Sequence, residues 1–138
     1  MTKSFRMQAL EKQAAKVLVD HGYETVIVST FVRSCRYIAF NLAASRRCSN
    51  GTLEYLMVKI RISLHPIRTL AEAAIFCRDE IAYAKQYFTR KTPGEKPSGF
   101  EVWVAVSVSS GFQQFRITSD GIYEIRPDGW RYCAWGFL

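Results

Sequence analysis

Residues 55–63 read YLMVKIRIS, and their apolar and polar positions alternate. Leu56, Val58, Ile60 and Ile62 make one aliphatic face, while Tyr55, Met57, Lys59, Arg61 and Ser63 make the other. A period of two sends successive side chains to opposite sides of a strand. A strand is therefore expected over 53–64, stopped by Pro66. The same pattern appears in YIAFNLAA, 37–44, where Ile38, Phe40 and Leu42 oppose Tyr37, Ala39, Asn41 and Ala43. Between the two runs lies the polar stretch SRRCSNGT, with Asn50-Gly51 as a turn dipeptide, so an antiparallel hairpin is expected. YETVIVST, 23–30, reads as an earlier strand and FEVWVAVSVS, 100–109, as a later one. FQQFRITSDGIYEIRPDG reads as two short strands broken at Asp120-Gly121, and the tail WRYCAWGFL is aromatic without a clear period.

Two stretches change to a spacing of three and four. In residues 4–21, Met7, Leu10, Ala14, Val17 and Leu18 form an apolar stripe, with Ser4 placed to cap the start and Gly22 to end the helix. From Thr69 to about Arg90, Leu70, Ala73, Ala74, Cys77, Ile81, Ala84 and Phe88 form a second stripe. Thr69 followed by Glu72 is a capping-box pattern. KTPGEKPSG, 91–99, is a basic loop with too little chain after it for a second domain. The expected order is α-β-β-β-α-β-β-β, an α/β or α+β chain whose 138 residues form one domain, 1–138.

Composition narrows the function classes. A hydrophobic fraction of 49% excludes a disordered chain, and the net charge of +7 favours an anionic partner, with nucleic acid first. The four cysteines form no CxxC pair and the two histidines lie far apart, so no zinc site is indicated; the thiols fit a reducing cytoplasm. The opening MTKSFRMQALEK has no apolar core and no run reaches membrane-spanning length, so no membrane association is expected.

EKQAAKVLVDHGYETV resembles the first helix and strand entry of the PD-(D/E)xK nuclease superfamily, nearest to its Holliday-junction-resolvase-like and restriction-endonuclease-like branches. FNLA stands where those proteins carry an aspartate in an apolar strand, so Asn41 takes the aspartate position. LMVKIR stands where they carry V-E-V-K-x-R, so Met57 takes the glutamate position and Lys59 keeps the lysine. The resemblance spans roughly residues 4–110 and implies an α/β fold with a restriction-endonuclease-like mixed central sheet flanked by helices, and a site of Glu11, Asn41, Met57 and Lys59 gathered in one pocket. In such a site carboxylates hold Mg²⁺ and the lysine attends the attacking water. Asn41 offers a neutral oxygen and Met57 a soft thioether, a poor set for a hard cation. The expectation is a degenerate site without a metal, catalytically inactive, on a nucleic-acid-binding or structural module. Taken singly, Lys59 reads as a solvent-facing strand residue and Met57 as core filler; their joint order carries the resemblance.

The competing expectations are an active Mg²⁺- or Mn²⁺-dependent DNA endonuclease, using Glu11 and Asn41 with a relocated Glu72 or Glu101, and a protein–protein interaction domain. Arg33, Arg36, Arg46, Arg47, Arg61, Arg90, Lys91 and Lys96 are the candidate DNA contacts, with Arg46-Arg47 and the 90–96 loop foremost because loops carry contacts. Trp130, Tyr132, Trp135 and Phe137 are suited to stacking bases, and better suited to packing over a sheet edge or against a second copy in a homodimer.

Overall fold

The computed structural model describes residues 4–28, 40–90 and 99–137. The described residues are mixed α/β, with three α-helices and one sheet of seven strands whose spatial order follows the chain. Helix α1 spans Phe5–Asp20, and Ser4 Oγ accepts from the Met7 amide at 3.1 Å, as its capping role requires. Strands β1 (Thr25–Val28), β2 (Leu42–Arg47) and β3 (Leu53–Ile62) form an antiparallel meander. Helices α2 (Leu70–Phe76) and α3 (Arg78–Arg90) carry the chain across to β4 (Gly99–Ala105), which lies parallel to β3. Strands β5 (Gln113–Ile117), β6 (Gly121–Arg126) and β7 (Gly129–Ala134) add on in antiparallel hairpins.

The two faces of the sheet bury separate cores. Leu56, Val58 and Ile60 of β3 pack with Leu42, Ala44 and Trp103 under Leu10, Ala14 and Leu18 of α1. On the opposite face Phe100, Val102, Val104, Phe115 and Ile117 pack under Ala73 of α2, Cys77 at the junction, and Ile81 and Ala84 of α3, and Met57 leans on this second cluster. Each fully buried aliphatic side chain contributes about 1.5–3 kcal/mol relative to exposure. Alternation along β3 thus sorts residues between two helical layers rather than between core and water.

The structure departs from the sequence expectations at four places. The helix from Thr69 to Arg90 is interrupted at Cys77, where the Phe76 carbonyl accepts from Arg61 Nη1 at 3.1 Å, a side-chain bond set into the helical ladder. The hairpin is shifted: β2 continues through Arg46 and Arg47, which were expected in the loop, because Arg46 faces Glu54 across the pair and Nε meets Oε2 at 2.7 Å. Residues 29–30 and 37–39, expected in strands, lie outside the described residues. Strand β4 ends at Ala105, short of 109, where Ser110 Oγ accepts from the Val106 and Ser107 amides and closes a turn. The tail forms a seventh strand, β7, and then a 3₁₀ turn, Trp135–Phe137. Gly121 permits the close β6–β7 approach, since a Cβ there would lie 2.4 Å from the Cys133 carbonyl oxygen.

Candidate functional site

The four residues expected to converge do not all meet. Glu11 and Asn41 do: Asn41 Nδ2 donates to Glu11 Oε2 at 2.9 Å, and the two are 4% and 7% exposed. Asn41 Oδ1 accepts from the Ile60 amide at 2.8 Å, while its own amide donates to the Val58 carbonyl at 2.9 Å. The side chain thereby continues the β2–β3 ladder past the first residue of β2. A bend at Asn41 turns it toward α1, so that Phe40 and Leu42, expected on one face, pack into opposite clusters. Met57 belongs to the layer under α3, where it supports the Phe40–Phe100 ring stack. Lys59 lies between Met57 and Arg61 on the same side of β3 by alternation. The single pocket of Glu11, Asn41, Met57 and Lys59 is therefore divided between two layers. The reason is that α1 covers the aliphatic face of β3, not the face carrying the lysine.

The donor set does not suit a divalent cation. Asn41's oxygen is occupied by a backbone amide, leaving Glu11 as the one carboxylate of the pair. Glu101 is 3% exposed, and both its oxygens are bonded: Oε1 to Trp103 Nε1 at 2.8 Å, Oε2 to Arg116 Nε and Nη2 at 2.9 and 2.6 Å. Glu72 is exposed at the start of α2, where Thr69 Oγ1 accepts from its amide at 3.1 Å and its carboxylate faces the Arg68 amide. Among the described residues no three of His, Cys, Asp and Glu are grouped to hold a metal.

A different constellation lies beside α1. Helix α1 covers the first four strands on its side of the sheet, and this face of β5–β7 carries Gln114, Arg116, Tyr123, Ile125, Trp130 and Tyr132 by register. Tyr123 packs against Trp130 at 5.7 Å and against Tyr132 at 4.4 Å between ring centroids. Trp130 is 57% exposed and Tyr132 43%, so the cluster is open to solvent. Where it meets α1 the sheet forms a cavity of about 160 Å³, walled by Leu18, Tyr23, Trp103, Gln114, Arg116 and Trp130 among others.

An ionic chain fixes this cavity. Arg46 lies over the Tyr23 ring at 4.4 Å and bonds Glu54; Glu54 faces Arg116 at 3.8 Å; Arg116 bonds Glu101. Burial disfavours the charge on Arg116, but Glu101 outweighs it and holds its pKa above the ordinary value. The hydrogen bond to Glu54 raises that of Arg46. Burial, then the Glu54 charge, pushes the Tyr23 phenol up to about 12. Both arginines stay charged and Tyr23 stays neutral at physiological pH.

No protein-family model, curated protein or solved structure matches this chain.

The remaining basic candidates scatter. Arg47 is exposed on β2 and Arg90 at the end of α3. Arg61 is committed to Glu80 at 2.5 Å and lies over the Phe76 ring, so it is a structural residue of the α2–α3 junction rather than a free cation. Arg33, Arg36, Lys91 and Lys96 lie outside the described residues. Of the tail aromatics, Trp130 and Tyr132 are open, whereas Trp135 is half-buried and bonds the Thr118 carbonyl. Sequence reasoning missed Tyr23, Gln114, Arg116 and Tyr123. The alternation of Gln114 with Phe115 and of Tyr123 with Glu124 was the available signal, but only pairing across three strands assembles it. Among the described residues no helix is long and apolar enough to cross a membrane.

Proposed function

We propose that this chain is a nucleic-acid-binding module on a restriction-endonuclease-like frame, without metal-assisted hydrolysis at Glu11 and Asn41, and that its ligand is single-stranded. The single observation that carries the reading is the solvent-open Tyr123–Trp130–Tyr132 cluster on a sheet face next to Arg116 and Arg46. Aromatic rings on an open sheet stack unpaired bases, at about 1–3 kcal/mol per base. A duplex hides its base faces and offers such rings nothing. The net charge of +7 supplies the general attraction to phosphate.

The frame is supported by the element order: a helix, a three-strand antiparallel meander, and a helical crossover into a strand parallel to the third. The loss of hydrolysis is supported by Asn41, whose polar atoms are all engaged in holding β2, β3 and α1 together.

The test is fluorescence anisotropy with labelled 12-nucleotide single strands and the matching duplex across a salt series. Single strands are expected to bind more tightly than duplex, with affinity falling as salt rises. The pair Trp130→Ala and Tyr132→Ala should weaken single-strand binding by about 2 kcal/mol in total while leaving the fold intact, since both rings are largely outside the core. Equal affinity in that double variant, or a preference for duplex, overturns the proposal.

A further inference from the structure

The cavity beside α1 joins the aromatic cluster through Trp130, which belongs to both. Its apolar walls are Leu18, Leu56, Ile125 and the Trp103 ring, and its polar lining is His21, Tyr23, Arg46, Glu101, Gln114 and Arg116. Arg116 is spoken for by Glu101 and Glu54. Gln114 differs: its half-buried side-chain amide makes no hydrogen bond among the described residues, although it presents one acceptor and two donors into a walled space. Its neighbour in sequence, Gln113, spends both amide atoms on the Ile67 backbone at 2.7 and 2.8 Å. One glutamine of the pair is thus structural, and among the described residues the other keeps its amide open to the cavity.

A mixed lining of this kind suits a flat heteroaromatic ring: apolar surface for its faces, one bidentate polar group for its edge. The geometry points to a base-reading pocket, in which one unpaired adenine of a bound strand enters the cavity and its N6 and N7 edge pairs with the amide of Gln114. The amide of glutamine matches that edge in a two-bond pairing, and a ring that lacks the N7 acceptor cannot complete it. Trp130 then marks the point where stacking on the open face passes into edge reading in the cavity. The ionic chain from Arg46 to Glu101 keeps the walls charged yet internally neutralised, so the pocket selects a neutral ring and not a phosphate. This assignment rests on the nucleic-acid reading above and names the chemistry of one subsite within it.

The experiment is a titration of the full chain with adenosine 5′-monophosphate and, separately, 7-deazaadenosine 5′-monophosphate, which has carbon in place of N7, followed by amide and indole NMR shifts. Adenosine monophosphate is expected to move the Gln114 side-chain amide and the Trp130 indole, and to bind about tenfold tighter than the 7-deaza nucleotide. Gln114→Leu should abolish that preference while 12-nucleotide strands still bind through Trp130 and Tyr132; Gln114→Glu, nearly the same shape, should abolish it too. Shifts confined to other residues, equal affinity for the two nucleotides, or a preference that survives both variants overturns the assignment. Single-strand binding with no response at Gln114 removes the pocket and leaves the module; loss of strand binding with a responding cavity removes the module reading alone.

Discussion

Asn41→Ala is the substitution whose effect the structure defines most closely. The side chain gives one hydrogen bond to a buried carboxylate at 2.9 Å and takes one from the Ile60 amide at 2.8 Å. Truncation strips the Ile60 amide of its acceptor, at about 1–3 kcal/mol, and removes a hydrogen bond to a charged group, at about 1.5–3 kcal/mol. The combined loss should be about 3–5 kcal/mol, against a typical total stability of about 5–15 kcal/mol. Urea unfolding at pH 7, read by tryptophan fluorescence, measures it, and hydrogen exchange of the Ile60 amide locates it. Asn41→Asp separates charge from shape. It keeps the acceptor for Ile60 but replaces the donor facing Glu11 with a second carboxyl. The introduced carboxyl should hold its proton above its free value of about 3.9, because two like charges cannot share that buried position. With the folded-state pKa raised, its contribution is present below the unfolded value and is lost as pH rises through the folded one. The variant should therefore approach the parent in acid and fall away toward neutrality. A loss under about 1 kcal/mol in Asn41→Ala with unchanged Ile60 protection would refute the reasoning, as would an Asn41→Asp profile parallel to the parent's.

Two further outcomes concern the walls of the cavity. Glu101→Leu strands the Arg116 guanidinium against an apolar wall and leaves Trp103 Nε1 without its acceptor, so a loss of about 3 kcal/mol is expected in the same unfolding assay. Burial pushes the Tyr23 phenol up to about 12 in the fold from its ordinary 10.0, so folding keeps a proton that the unfolded chain releases. Its contribution is complete below pH 10 and declines as pH rises toward 12; thermal melting should show the decline, and Tyr23→Phe should remove that part of it.

The legible parts of the fold are those written in local chemistry. The alternation of Leu56, Val58 and Ile60 marks β3, Ser4 and Thr69 mark helix starts, and Asn50-Gly51 marks the turn between β2 and β3. What was illegible depends on partners distant in the chain. Alternation shows that β3 has two faces but not which helix covers each, and this decided the fate of Met57 and Lys59. The bend that sends Asn41 to Glu11 is visible only once α1 is in place. Arg61 reaching the Phe76 carbonyl splits one helical stripe into two helices without any residue in the stripe announcing it. In β7 the apolar residues fall on both sides, Trp130 and Tyr132 opposite Cys133, and the period of two disappears.

The sheet is assembled in chain order, and a single pairing, β3 with β4, bridges a long stretch of chain through two helices. Closure entropy rises with the length of the intervening segment, so this is the pairing that carries the greatest entropic cost. It is also the seam of the molecule. Severing any other neighbour pair frays a meander from one end; severing this one parts an amino-terminal half built around α1 from a carboxy-terminal half built around α2 and α3. The cavity sits astride that line, taking Tyr23 and Leu56 from one half and Trp103, Gln114 and Trp130 from the other, so whatever fills it also bolts the halves together.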